Sequence, residues 1–396
     1  MSLINKITSI NKMNLLLYIG WFCIALFFSW GNTSLGFLFL MIHSIIYLII
    51  NRKEINFNLL FKFKTNIILI SLLIWTLISA VFAYHKSLAL ASTLGFIILI
   101  SITLFETKIL INFKKFIYKF LLPIMTLGIT IASSYIIYNY FSSNLRRATG
   151  VFSNVNDTGT LLIISLILII SYFEYLNNNY KYLVLIPGLL NLLALLLTFS
   201  RGAFIGFIAG LAIYNLRSKK HLVIFILIFI LIFSFIYSNP KLNKRFIKSL
   251  TIEDNMDRIN IWMSSLKMIK AHPIQGVGPG NFPKVYPSYR WVEKKSNRYK
   301  SFAHNIFLNM AVETGIVGFI LFTILIILVL SMGIKLFNNN PIHRGIIAAL
   351  IAVLVHNQFD CTVLKFEVGV VFWALIGLIL AIYQKENPEK SNWILF

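Results

Sequence analysis

The chain is 396 residues long, 58% hydrophobic and only 12% charged, with a mean hydropathy of +0.81. Such a composition cannot keep its apolar surface inside a water-soluble globule, which excludes a soluble enzyme or binding module and points to an integral membrane protein. The formal net charge of +23 would suggest nucleic acid if it sat on a soluble domain, but here the charges fall mostly between apolar runs, so no nucleic-acid partner is expected.

Runs long enough to span, about 17 to 25 residues each, recur near 14–30, 33–50, 66–82, 88–105, 120–141, 159–176, 182–199, 203–216, 222–237, 315–336, 345–362 and 368–383. They predict an all-α membrane protein of about twelve spans. The first run follows Lys6 and Lys12 as a signal peptide would, yet its length and the spans after it mark a retained signal-anchor. With the amino terminus inside, the cytoplasmic segments carry Arg52, Lys53, Lys62 and Lys64, then Lys108, Lys114, Lys115 and Lys119, then Arg217, Lys219 and Lys220, and last Lys385 and Lys390. The short outer segments hold only Lys86, Arg146, Arg147, Arg201 and Lys365. This bias places both termini in the cytoplasm. Cys23 and Cys361 form neither a metal-ligand spacing nor a disulfide framework.

One long connection then falls outside and divides the chain into spans one to nine (1–237), an outer loop (238–303) and spans ten to twelve with a cytoplasmic tail (304–396). A loop of this length is expected to contain helices. Ile259, Trp262, Leu266 and Ile269 recur at helical spacing and predict an amphipathic helix lying on the outer membrane surface. Pro273 and the glycines Gly276, Gly278 and Gly280 end it. The stretch "GVGPG" lacks the lysine and hydroxyl of a phosphate-binding loop and reads as a tight turn.

The unusual polar residues gather on the outer face. "TFSRGAFIG" sets Arg201 in a turn between two spans, either to snorkel or to serve a function. "LRRATGVFSNVNDTG" brings Arg146 and Arg147 to the same face, followed by Asn154, Asn156 and Asp157. "DRINIW" places Arg258 at the start of the loop helix, beside Asp257. "SFAHNIFLNMAVETG" puts His304 where the loop re-enters the membrane, either as a proton acceptor or as a marker of that boundary. Glu313 either assists His304 or caps locally. Guanidinium groups bind phosphate oxygens and keep their charge, and an imidazole takes a hydroxyl proton. Together they suit a diphosphate leaving group and an activated acceptor hydroxyl. His356 and Asp360 lie a helical turn apart in "VHNQFDCTV"; two ligands are too few for a metal, and a buried polar pair is the plainer reading.

These residues resemble the bacterial O-antigen ligases and the related O-antigen polymerases. The resemblance is carried by "TFSRGAFIGF", "DRINIWMSSLKMIKAHPIQGVGPGNF" and "AHNIFLNMAVETGIVG", with a weaker match at "GVFSNVNDTG". It implies a helical membrane glycosyltransferase of the GT-C group, with a large periplasmic loop, in the bacterial inner membrane, and its site on the periplasmic face. It implies an undecaprenyl-diphosphate-linked glycan as donor and no metal or nucleotide cofactor. The acceptor would be a sugar of the lipid A core for a ligase, or a second lipid-linked glycan for a polymerase. Carried over, His304 would be the catalytic base and Arg201 and Arg258 would bind the diphosphate, with inversion at the anomeric carbon. Arg146, Arg147, Asn305 and Glu313 would support them. A multi-span transporter is the alternative from another class, although transporters usually place their polar groups nearer the midplane. A scaffold whose basic loop holds anionic lipid or glycan is a third.

Overall fold

The computed structural model describes residues 64–110, 122–143, 147–149, 154–176, 179–216, 252–291 and 301–387, with Tyr118 and single positions between 223 and 247. The expected spans at 14–30 and 33–50, most of that at 222–237, and Arg146 lie outside the described residues. All regular structure among the described residues is helical: α1 (Lys64–Val81), α2 (Lys86–Leu110), α3 (Leu122–Ser142), α4 (Val155–Tyr175), α5 (Leu185–Thr198), α6 (Arg201–Asn215), α7 (Ile252–Ala271), α8 (Ile306–Leu336), α9 (Pro341–His356) and α10 (Phe366–Glu386), with short 3-10 turns between some of them. Six helical stretches among these residues are long and apolar enough to cross a membrane: α1, α3, α4, Lys181–Thr198, α8 and α10.

The helices form because each must satisfy its own backbone in a medium without water, and most of them pack through one large apolar cluster among the described residues. α4 and α6 lie against α9, α2 against α10, and α1 against α8. Outward positions such as Leu127, Ile186 and Leu189 stay exposed, as a lipid-facing surface requires. At the end of the helices away from His304, the buried Arg344 guanidinium donates to Glu174 at 2.5 Å and lies over the Tyr214 ring, locking α9 to α4 and α6.

Three elements differ from the expectation. α9 stops at His356 rather than continuing to 362, because Asn357 turns the chain: its Nδ2 donates to Val353 O at 2.9 Å and its Oδ1 accepts from Val363 N–H at 3.2 Å. His356 and Asp360 are therefore not a turn apart on one helix; Asp360 lies in the turn that leads to α10. α8 begins before the expected span and breaks at Gly315, whose φ of 68° and ψ of −174° are not helical. The polar groups freed by that break are taken up by the glycine-rich loop and by α1. Val277 N–H donates to Val312 O and Gly278 N–H to Glu313 O, both at 2.9 Å, Ile316 N–H donates to Pro273 O at 2.8 Å, and Trp75 Nε1 donates to Thr314 O at 2.7 Å.

The third difference is the face of α7. Ile261, Ser264, Ser265 and Met268 are buried, while Leu266 is 52% exposed. Ile261 and Met268 pack with Val277, Phe282, Val285 and Val312, so this face is covered by the rest of the loop and by α8. Ser264 and Ser265 can be buried because each donates to a carbonyl one turn back, Asn260 O at 2.6 Å and Ile261 O at 2.7 Å.

Candidate functional site

The start of α4, the α5–α6 turn, the start of α8 and the α9–α10 turn meet at one end of the helices. α5 ends on Phe199 in the left-handed region (φ 51°), and Ser200 caps α6, its Oγ accepting from Ala203 N–H at 3.4 Å. Arg201 is thereby the first residue of α6, at the helix end whose dipole favours an anion. Arg147 serves this turn from outside: its Nε donates to Thr198 O at 3.0 Å and its Nη2 to Phe199 O at 3.3 Å. Its hydrogen bonds go to carbonyls at the negative end of α5.

α6 approaches α9 through glycine. A Cβ at Gly202 would sit 2.8 Å from the His356 ring, and one at Gly206 only 2.6 Å from Ala352 O. Arg201 is thus anchored one residue from a direct contact with the end of α9.

α4 begins with Asn154, whose Oδ1 accepts from Asn156 N–H at 2.8 Å. Its first turn faces the α9–α10 turn. Thr160 Oγ1 lies 3.0 Å from His356 Nδ1 and donates to Thr362 Oγ1 at 2.9 Å. The Lys365 ammonium sits 2.7 Å from the Asp157 carboxylate. Asn156 uses both ends of its amide: Nδ2 donates to Asp360 Oδ2, and Oδ1 accepts from Ser200 Oγ at 2.8 Å.

α8 is stitched to the same turn. Asn305 caps it, accepting from Leu308 N–H at 3.0 Å, and donates to Gln358 O at 3.3 Å, while Ile306 N–H donates to Asn357 O at 2.9 Å. These bonds hold His304 at φ 53°, a conformation a non-glycine residue keeps only where its surroundings enforce it. His304 Nδ1 faces Asp360 Oδ1 at 3.5 Å, with the histidine side chain 30% exposed and the aspartate 5%. Burial alone would push the Asp360 carboxyl up, but the facing His304 imidazole, the His356 ring and the Cys361 N–H overcome it and hold the carboxyl well below its ordinary range.

The structure thus brings His304, Asn305 and the Arg201 turn together. Arg258, half-buried in the first half of α7, lies within electrostatic range of His356. Glu313 is elsewhere: its Oε1 accepts from Phe282 N–H at 3.4 Å and so caps the glycine-rich loop. Asn156 and Ser200 are members of this cluster to which sequence reasoning gave no role, and the sequence reads Asp360 only as a buried partner of His356; the signal available was that "FSNVNDTG" and "VHNQFDCTV" are polar stretches at the ends of spans. Among the described residues, no group of three or more His, Cys, Asp or Glu side chains is placed to hold a metal ion.

A carboxylate facing Nδ1 favours the tautomer protonated there and leaves the Nε2 lone pair free. A helix start bearing an arginine lies at the far end of the same hydrogen-bonded cluster. No curated protein matches the chain. Residues 186–323, which include Arg201, Arg258, His304, Asn305 and Glu313, match the family model described as O-antigen ligase.

Proposed function

We propose that this chain is a glycosyltransferase that moves a glycan from undecaprenyl diphosphate to an acceptor hydroxyl at the outer, periplasmic face of the inner membrane. One observation carries the reading: the Arg201 turn and His304 are joined by the run Ser200, Asn156, Asp360. Leaving-group stabilisation and base are thereby held in one frame. Asp360 orients the imidazole, and Nε2 takes the proton from the acceptor hydroxyl as its oxygen attacks the anomeric carbon. The bond from that carbon to the diphosphate oxygen breaks with its electron pair on the oxygen, where Arg201 and Arg258 stabilise the charge. Attack opposite the leaving group inverts the anomeric configuration.

In this reading the chain has about twelve spans, with segments 1–237 and 304–396 in the membrane and 238–303 as the periplasmic loop. Transfer to lipid A core makes it a ligase, the reading we put first; growth of lipid-linked chains makes it a polymerase. The test is transfer by the purified chain from an undecaprenyl-diphosphate glycan to each acceptor. Arg201→Lys keeps the charge but loses the forked donor geometry, and is expected to lower kcat/KM about 10²- to 10³-fold. No transfer to either acceptor by the native chain, or full activity in Arg201→Lys, would sink the proposal.

A further inference from the structure

Building on the transferase reading, we propose that Asn156 is a positioning residue that couples the arginine turn to the base. An amide side chain can donate and accept at once, and Asn156 does both. Its acceptor end holds Ser200 Oγ at 2.8 Å, and Ser200 caps the helix that Arg201 begins. Its donor end holds Asp360 Oδ2, while the other oxygen of that carboxylate accepts from Cys361 N–H at 2.8 Å and faces His304 Nδ1 at 3.5 Å. Phe199 and His304 are the non-glycine residues with positive φ among the described residues. The run through Asn156 joins the two turns that carry them.

Backbone in that region is held by its partners, not by its own preference. A shift of the arginine turn when a diphosphate arrives is therefore passed through Ser200 and Asn156 to the Asp360 carboxylate, which sets how the imidazole meets the acceptor. A merely structural asparagine would affect stability alone. A coupling asparagine affects kcat and its dependence on pH.

Asn156→Asp separates the two. It preserves size and the acceptor for Ser200, but sets a carboxylate oxygen against Asp360 Oδ2. The ionisable groups around this pair are His304, His356, Arg258, Lys365 and Asp157. Two carboxylates in contact hold a shared proton to higher pH than either would alone. Once protonated, the new side chain donates as the amide did; once ionised, it repels Asp360.

The experiment uses the full-length chain, an undecaprenyl-diphosphate O-antigen donor, and lipid A core and a lipid-linked repeat unit as acceptors. Asn156→Ala is expected to lower kcat about 10- to 100-fold, the scale of one hydrogen bond to a charged group, with donor KM within about threefold of native. Asn156→Asp should match that loss at alkaline pH and recover relative to native as pH falls. If the native chain transfers to neither acceptor, the transferase reading fails and this inference with it. If the native chain is active but Asn156→Ala keeps its kcat, or the Asn156→Asp deficit is the same at every pH, the coupling is wrong and the transferase reading stands. Should Asn156→Ala not purify as a folded species, the near-isosteric Asn156→Asp profile decides.

Discussion

His304→Asn is expected to lower kcat for glycan transfer about 10²- to 10⁴-fold, the usual contribution of a positioned general base, while the protein extracts and elutes as the native chain does. Asparagine is the informative replacement because it tolerates the left-handed backbone at φ 53° better than most residues yet cannot accept and carry a proton. Alanine would confound lost chemistry with added strain. The donor contacts proposed for Arg201 and Arg258 are untouched, so the loss should appear in kcat and leave donor KM near native. Asp360→Asn gives the companion result: the tautomer is no longer enforced, and a loss of up to about 10⁴-fold is expected. Steady-state transfer measured over a range of donor concentrations checks both. Native kcat in His304→Asn would end its assignment as the base.

Gly315→Ala should be the most damaging single-methyl change in the described residues. Its φ and ψ fall in a region open essentially to glycine alone, and a Cβ there would stand 1.8 Å from Ile274 O and 2.9 Å from Gly276 N. Neither neighbour is a flexible side-chain tip that can swing away; both are backbone of the glycine-rich loop. Backbone strain and overpacking each cost about 1 to 3 kcal/mol. That is a large part of the roughly 5 to 15 kcal/mol that holds a typical domain together. A lowered unfolding temperature in detergent, with early protease cleavage within 272–282, is the predicted result. A native-like melting curve would mean the loop is not clamped at this point.

The helices were legible because a bilayer leaves the backbone few options, and an apolar run of sufficient length is nearly a sufficient signal. α1, α4 and α10 lie close to where the runs place them. The errors have physical sources. Phe359 and Cys361 carry the apolar signal past Asn357, so hydropathy misses a stop made by a side-chain hydrogen bond. The start of α8 at Ile306 is hidden because Asn309 and Glu313 are polar yet buried. On α7 the buried face includes two serines that satisfy themselves, which moves the apparent stripe to Leu266. Arg201 stands out in sequence as a charge beside an apolar run, and His304 as a lone imidazole where the loop meets one; Arg258 stands out only through the motif around it. Asp360 does not stand out as the partner of His304, because the two are far apart along the chain and meet only when the α9–α10 turn folds against the start of α8.

Gly206 and Gly210 bring the α6 backbone close to the Ala352 and Ala348 carbonyls of α9, and Gly202 leaves room for the His356 ring. Close backbone approach of this kind makes a stiff joint in lipid. The lateral pressure of the bilayer, which changes with chain length and growth temperature, would then act on the outer helices and not on the spacing between Arg201 and His356. On the proposed function, the spacing of the arginine turn from the end of α9 would then be set by the protein and not by the lipid around it.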